Sequence, residues 1–419
     1  LGDLHSGSGG HTLSLLRAVG RPTALGIVVV TALNLFALGW MLTVRAPGGG
    51  LSFDVYRIDI DAYRIGLKVW WDGGDLYGRM PQTQVGISLP FLYPPFAAAF
   101  LSPLGMVPFG VASALWTLLT IALVALVIVL VLRSLGASNP WWLTAALLPF
   151  ALFIEPVRDH IFFGQVNIFL MALVVLDLLV KSPRWPRGLL IGLAAAIKLT
   201  PLAFLLILLL RRDFRAMVTT VLSFVAFGVI GALISWENSV KFWTGAMFGS
   251  DRVGAGYAGN QSILAVLLRL GGEPPLRSVV WLVLCAVVLA LGVFVMRGVL
   301  AEGKVALAMG INALIMLLVS PISWSHHWVW CVPLLLALAW HSKVLAAVGV
   351  VVFSLSAHWW WPNTVNQERG WDALQQIAGS SYPIFAVAVL VVLAIRVSKQ
   401  SASLSLSGRS NSPELSGLN

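Results

Sequence analysis

The chain has 419 residues, 58% of them hydrophobic and only 11% charged, with a mean hydropathy of +0.89 and a formal net charge of +10. Soluble globular domains carry about 25% charged residues, so a soluble fold is excluded and a polytopic membrane protein is expected. The two cysteines, Cys285 and Cys331, both lie in apolar runs, which excludes a disulfide framework and a cysteine-held metal.

The opening "LGDLHSGSGGHTLSLLRAVGR" shows no short apolar run with a cleavage site and reads as a cytoplasmic segment, 1–23. A crossing helix needs about 20 apolar residues. Spans are predicted near 24–44, 110–133, 140–156, 161–181, 215–235, 278–297, 304–320, 327–340, 343–361 and 382–397. The stretch 188–212, "GLLIGLAAAIKLTPLAFLLILLLRR", is long enough for one crossing, but a single crossing puts Arg211, Arg212 and Arg215 on the wrong side. Pro201 removes a backbone donor and disfavours helix before it. The stretch is therefore split into two short crossings meeting near 198–201. The expected fold is an all-α polytopic membrane bundle of about twelve transmembrane helices over 24–397, with both termini inside. The Ser-rich end, 398–419, is expected to be a disordered cytoplasmic tail.

Retained cytoplasmic loops are rich in Lys and Arg. On this topology fifteen of the 27 basic residues lie inside, against five of the 17 acids. The inside loops are short. The long stretches 45–109, 236–277 and 362–381 are external and are expected to form the active site. The first includes "GISLPFLYPPFAAAFLSPLGMVPFG", apolar but broken by five prolines, which suits a re-entrant or interfacial element.

Polar residues gather on the external side in five clusters. These are Asp59 and Asp61; "EPVRDHIFFGQVN", with Arg158, Gln165 and Asn167; Lys198 in "IKLTP"; Asn260 and Gln261 in "YAGNQS"; and His326 and His327 in "SPISWSHHW". Ionisable groups at membrane depth are costly and mark function. Together they describe a site with a carboxylate for base work, cations for an anion, amides for hydroxyls and an apolar wall for a lipid. A partly desolvated carboxylate can take the proton of a sugar hydroxyl as that oxygen attacks. Arg158, Lys198, His326 and His327 can hold a departing phosphate.

These motifs resemble the GT-C type membrane glycosyltransferases, and within them the actinobacterial polyprenol-phosphate-mannose-dependent α-(1→2)-mannosyltransferases. The resemblance runs over roughly 24–397 and rests on "DIDAY" (59–63), "GGDLYG" (73–78), "FLYPPF" (91–96), "FGQVN" (163–167), "IKLTPL" (197–202) and "SPISWSHHWVW" (320–330), in the family order. It implies a GT-C-like fold and maps the catalytic base onto Asp59, four residues before Tyr63. Asp61 is a second acid in the same motif. Two residues apart on a helix, the pair does not share a face.

The implied reaction is an inverting transfer of mannose from polyprenyl phosphate mannose to the 2-hydroxyl of a mannosyl residue on a phosphatidylinositol mannoside, tetramannoside to pentamannoside preferred. Asp59 is then the base, and His326 or His327 with Lys198 and Arg158 stabilise the phosphate. Asp61, Tyr63, Gln165, Asn167, Asn260 and Gln261 are the expected substrate contacts. No cofactor, metal or nucleic acid is expected, and the expected setting is a bacterial cell membrane with the site on the external face. The alternatives are lipomannan α-(1→2) branching, an O-acyltransferase or glycan ligase, and, from another class, a lipid or sugar transporter or flippase with Asp177 as its mid-path acid.

Overall fold

In the computed structural model, residues 22–43, 55–248, 254–364 and 367–410 are described. Most of the segment 1–23, parts of the three long loops and residues 411–419 of the expected tail lie outside them. The described residues fold into helices joined by turns, with two isolated β-bridges. Among them, five helices are long and apolar enough to cross a membrane: Ala24–Thr43, Phe109–Ser134, Phe214–Ile234, Leu276–Ala301 and Ser381–Gln400. A sixth is made if Pro140–Phe153 and Glu155–Phe163, bent by 72° at Ile154, count as one span. The chain is an all-α polytopic membrane protein, but the expected twelve crossings are not found.

The reason lies in helix length. The other apolar stretches form helices of 10–17 residues, such as Asn167–Leu179 and Val305–Val319. At 1.5 Å per residue these reach about 15–25 Å, short of the roughly 30 Å of hydrocarbon. Prolines, glycines and polar caps end them early, which a hydropathy average does not register. The predicted span 327–340, for example, is a 3₁₀ turn, Ser325–Trp330, followed by the helix Cys331–His341.

Helices Ala24–Thr43 and Phe214–Ile234 leave most of their apolar residues exposed, as lipid-facing helices do. Val305–Val319 is the opposite, with thirteen of its fifteen residues buried between Leu276–Ala301 and Cys331–His341. It also mends the broken stretch. Helix Leu189–Ile197 stops at Lys198, whose backbone is extended (φ −152°, ψ 131°), and a 3₁₀ turn, Thr200–Phe204, precedes helix Leu205–Leu210. Buried Asn312 accepts from Ile207 N at 3.1 Å and donates to Ala203 O at 3.0 Å, satisfying backbone groups that the break sets free.

Two further differences bear on function. Asp177 does not face a path through the bundle. It is fully buried and its Oδ2 accepts from Gly188 N (2.9 Å) and Ile191 N (3.1 Å), capping the start of helix Leu189–Ile197. At the end of the chain, helix Ser381–Ser410 continues through most of the expected disordered tail, since no proline intervenes before Pro413.

Candidate functional site

A cavity of about 550 Å³ opens among segments far apart in the chain. It is lined by Asp59 and Tyr63 of helix Ile58–Trp71, by residues 89–94, by Phe163 and Gln165, by Lys198, by Phe242, Ala246 and Met247, and by Trp324, His326 and His327. The lining combines aliphatic and aromatic side chains with the charged Asp59 and Lys198.

The turn at 163–167 organises the polar side. Helix Glu155–Phe163 ends at Gly164, whose φ of +76° is the left-handed region that glycine tolerates. A Cβ at Gly164 would lie 2.5 Å from Ile60 Cγ1, so only glycine lets this turn press against helix Ile58–Trp71. His160 Nε2 accepts from Ile168 N at 3.0 Å and pins the start of the next helix. The turn thereby delivers Gln165 to Asp59.

Gln165 is a hub with its orientation fixed. Its Oε1 accepts from Tyr93 OH (3.2 Å), Asn167 Nδ2 (3.3 Å) and Tyr63 OH (3.4 Å), and Tyr63 and Tyr93 hydroxyls lie 3.0 Å apart. With the oxygen so occupied, Nε2 faces Asp59 and donates to its Oδ2 at 2.8 Å. Burial pushes the Asp59 carboxyl up to about pKa 7, against the Gln165 hydrogen bond and the Lys198 charge, which both lower it. Burial likewise raises the Tyr63 and Tyr93 phenols.

The network runs on to the cationic side. Asn167 Oδ1 accepts from Lys198 Nζ at 2.8 Å, so Asp59 and Lys198 are joined through Gln165 and Asn167. Lys198 Nζ also lies 3.2 Å from His327 Nε2 and 5.5 Å above the Tyr93 ring. An ammonium has no acceptor, so His327 Nε2 accepts and its ring proton sits on Nδ1, consistent with its backbone hydrogen bond to Ile322. His326 packs against the Phe163 and His327 rings, 4.8 and 4.9 Å away. Its Nε2 has no hydrogen-bond partner among the described residues. That nitrogen is buried, so the ring meets the cavity through its other atoms.

Five expected site residues do not line the cavity: Asp61, Arg158, Asn167, Asn260 and Gln261. Asp61 is buried, and its Oδ2 accepts from Tyr56 OH (3.0 Å) and Gln84 N (2.8 Å), closing the 82–88 loop. Helical geometry explains this, since two residues on one helix lie roughly 200° apart. Arg158 pairs with its neighbour Asp159 at 3.1 Å and does not line the cavity. Asn260 is fully buried: it donates to Ala255 O (2.8 Å) and Pro321 O (3.1 Å) and accepts from Ser323 N (2.8 Å). Gln261 donates to Ala258 O (2.7 Å) and Gly379 O (2.9 Å). Both amides hold backbone in place. Asn167 reaches the site only through Gln165 and Lys198.

Residues 91–321, more than half of the chain, match Glycosyltransferase family 87. The chain belongs to this family. Among family 87 relatives, a polyprenol-phosphate-mannose-dependent α-(1-2)-phosphatidylinositol mannoside mannosyltransferase of Mycolicibacterium smegmatis is 38% identical over 398 residues, 88% of each chain. Its namesake in Mycobacterium tuberculosis is 37% identical, covering 82% of this chain and 85% of that protein. An M. tuberculosis phosphatidylinositol pentamannoside mannosyltransferase is 31% identical over 81% and 82%. Among solved structures, ArnT from Cupriavidus metallidurans bound to undecaprenyl phosphate is similar at a TM-score of 0.41 and 17% identity, over 89% of this chain and 78% of that one.

As a member of family 87 the chain is a glycosyltransferase, and its cavity holds residues that the sequence analysis did not single out. Tyr93 of "FLYPPF" joins the Gln165 hub, while Tyr257, Trp324 and Trp359 form an aromatic wall. Tyr93, Tyr257 and Trp324 lie within the quoted motifs "FLYPPF", "YAGNQS" and "SPISWSHHW", whereas nothing in the sequence separates Trp359 from the other Trp residues, 18 in all.

Proposed function

We propose that this enzyme transfers mannose from polyprenyl phosphate mannose to the 2-hydroxyl of a mannosyl residue on a phosphatidylinositol mannoside, with inversion. The observation that carries the reading is the presence in one cavity, joined through Gln165 and Asn167, of a carboxylate raised to about pKa 7 and the pair Lys198 and His327. Asp59 takes the proton from the acceptor hydroxyl as its oxygen attacks the anomeric carbon. The bond from that carbon to the phosphate oxygen breaks in the same displacement. Lys198, with His326 and His327 beside it, meets the charge that grows on the departing phosphate. Leu89, Leu92 and Met247 give a prenyl chain an apolar wall.

The preferred acceptor is the tetramannoside, extended to the pentamannoside, in keeping with the higher identity to the relatives named for phosphatidylinositol mannosides. The cavity lies on the external face of a bacterial cell membrane in this reading, where the lipid-linked donor is presented. The test is purified full-length protein with labelled donor and a panel of mannosylated lipids, pentamannoside and lipomannan included. Product from the tetramannoside is expected, and Asp59→Asn is expected to cut turnover by about 10²–10⁴. Wild-type turnover in Asp59→Asn overturns the base assignment, and product from another acceptor alone overturns the acceptor.

A further inference from the structure

We infer that Tyr257, Trp324 and Trp359 form a stacking wall for the mannosyl rings of the acceptor, with Glu155 as the positioning residue that sets Trp359. This rests on the mannosyltransferase reading above. The three rings come from three distant segments and all line the cavity. Tyr257 meets Trp324 edge to face, 6.2 Å away at 64°, and lies tilted against Trp359, 5.8 Å away at 56°. They are not core filler. Trp328, four residues beyond Trp324, is fully buried against Phe353 and Tyr382, whereas Tyr257 is 39% exposed and Trp324 and Trp359 are half-buried.

The wall is held from behind. Trp359 Nε1 donates to Glu155 Oε1 at 2.8 Å, Tyr382 OH donates to Oε2 at 2.6 Å, and His358 Nε2 stands 3.3 Å from Oε1. Glu155 is fully buried and does not line the cavity, so Trp359 is its link to the site. A buried carboxylate is costly unless well paired, and this one fixes the plane of a cavity ring. Gly259 lets that ring approach the backbone, because a Cβ there would lie 2.9 Å from Trp359 Cη2. Asn260 stitches the Tyr257 loop to the Trp324 segment through an antiparallel bridge. The wall is therefore preorganised.

A pyranose presents a patch of C–H bonds that suits the negative face of an aromatic ring, with its hydroxyls directed outward. Three rings exceed what one donor sugar covers, and the acceptor brings several mannosyl units. Leu89, Leu92 and Met247 also line the cavity and offer the prenyl chain aliphatic contact.

The test is steady-state kinetics on the full chain, varying each substrate while the other saturates. Trp324→Leu and Tyr257→Leu are expected to raise the acceptor KM about tenfold, worth about 1.4 kcal/mol, while the donor KM stays within about twofold. Trp359→Phe keeps a ring but loses the donor to Glu155, and it should raise the acceptor KM about threefold, as should Glu155→Gln. If Glu155→Gln fails to fold, Trp359→Phe still reports on the same contact. A rise confined to the donor KM, or no change in folded variants, overturns the inference. Saturation-transfer NMR with soluble α-mannotriose separates the two readings. Binding that Trp324→Leu abolishes, in a protein that transfers no mannose, would sink the proposed reaction and leave the wall standing.

Discussion

The turn at 163–167 and the loop at 257–262 each carry two side-chain amides beside a glycine, and the molecule uses them in opposite ways. Gln165 and Asn167 spend their hydrogen bonds on side chains: Tyr63, Tyr93, Asp59 and Lys198. Asn260 and Gln261 spend theirs on backbone at Ala255, Ala258, Pro321, Ser323 and Gly379. The first pair orients reacting groups and the second fixes the frame on which Tyr257 and Trp324 stand. Residue type does not distinguish the roles; the identity of the partner does.

The same contrast divides the two acids of helix Ile58–Trp71 and gives the largest expected effect. Asp59→Asn should lower kcat/KM by about 10²–10⁴, while Asp61→Asn, which touches only Tyr56 and the 82–88 loop, should lower it less than about tenfold. Equal losses would erase the distinction between site and frame. Because Asp59 is raised to about 7, the fold penalises its ionised form, and stability attributable to it falls as pH rises from its ordinary value, 3.8, towards 7. The neutral amide escapes that penalty, so Asp59→Asn should melt no lower than wild type above pH 7.

A somewhat smaller loss, roughly 10²–10³ in kcat, is expected for Lys198→Met, since the phosphate then lacks its fixed cation. Arg158→Gln is the matched control, and comparable damage there would restore it to the site. For the amides, Gln165→Leu should cost roughly 10- to 100-fold in kcat by freeing Asp59 from its tether. Asn260→Ala should instead show mainly in thermal melting, losing about 1–3 kcal/mol of stability as buried backbone groups go unpaired.

The gentlest probe is pH. The base must be ionised, so log kcat/KM should fall by about one per pH unit on acidification below about 7 and level off above it. A profile that is flat down to pH 5 would mean that Asp59 keeps an ordinary carboxylate pKa.

Much of this was legible before the fold was known. Asp59, Tyr63, Gln165, Lys198, His326 and His327 line one cavity, and the helix breaks at Lys198 beside Pro201. Asp61, Arg158, Asn260 and Gln261 were equally plausible by type and lie elsewhere. Tyr257 stood only as the edge of "YAGNQS", and Trp359 carried no mark at all. Facing was the missing information: whether a side chain meets the cavity depends on its rotation about a helix and on neighbours 100 or more residues away, as with Gln165 on Asp59.

By itself, the sequence determined the membrane class, the order of its apolar segments and the segments that carry chemistry, because apolarity and motif order are local properties of the chain. Tertiary structure decided how many of those segments are long enough to cross, which acid faces the cavity, and which amides join the cavity network rather than the frame. These are settled by partners that only packing brings within hydrogen-bond distance, and a buried polar group takes whichever partner packing supplies.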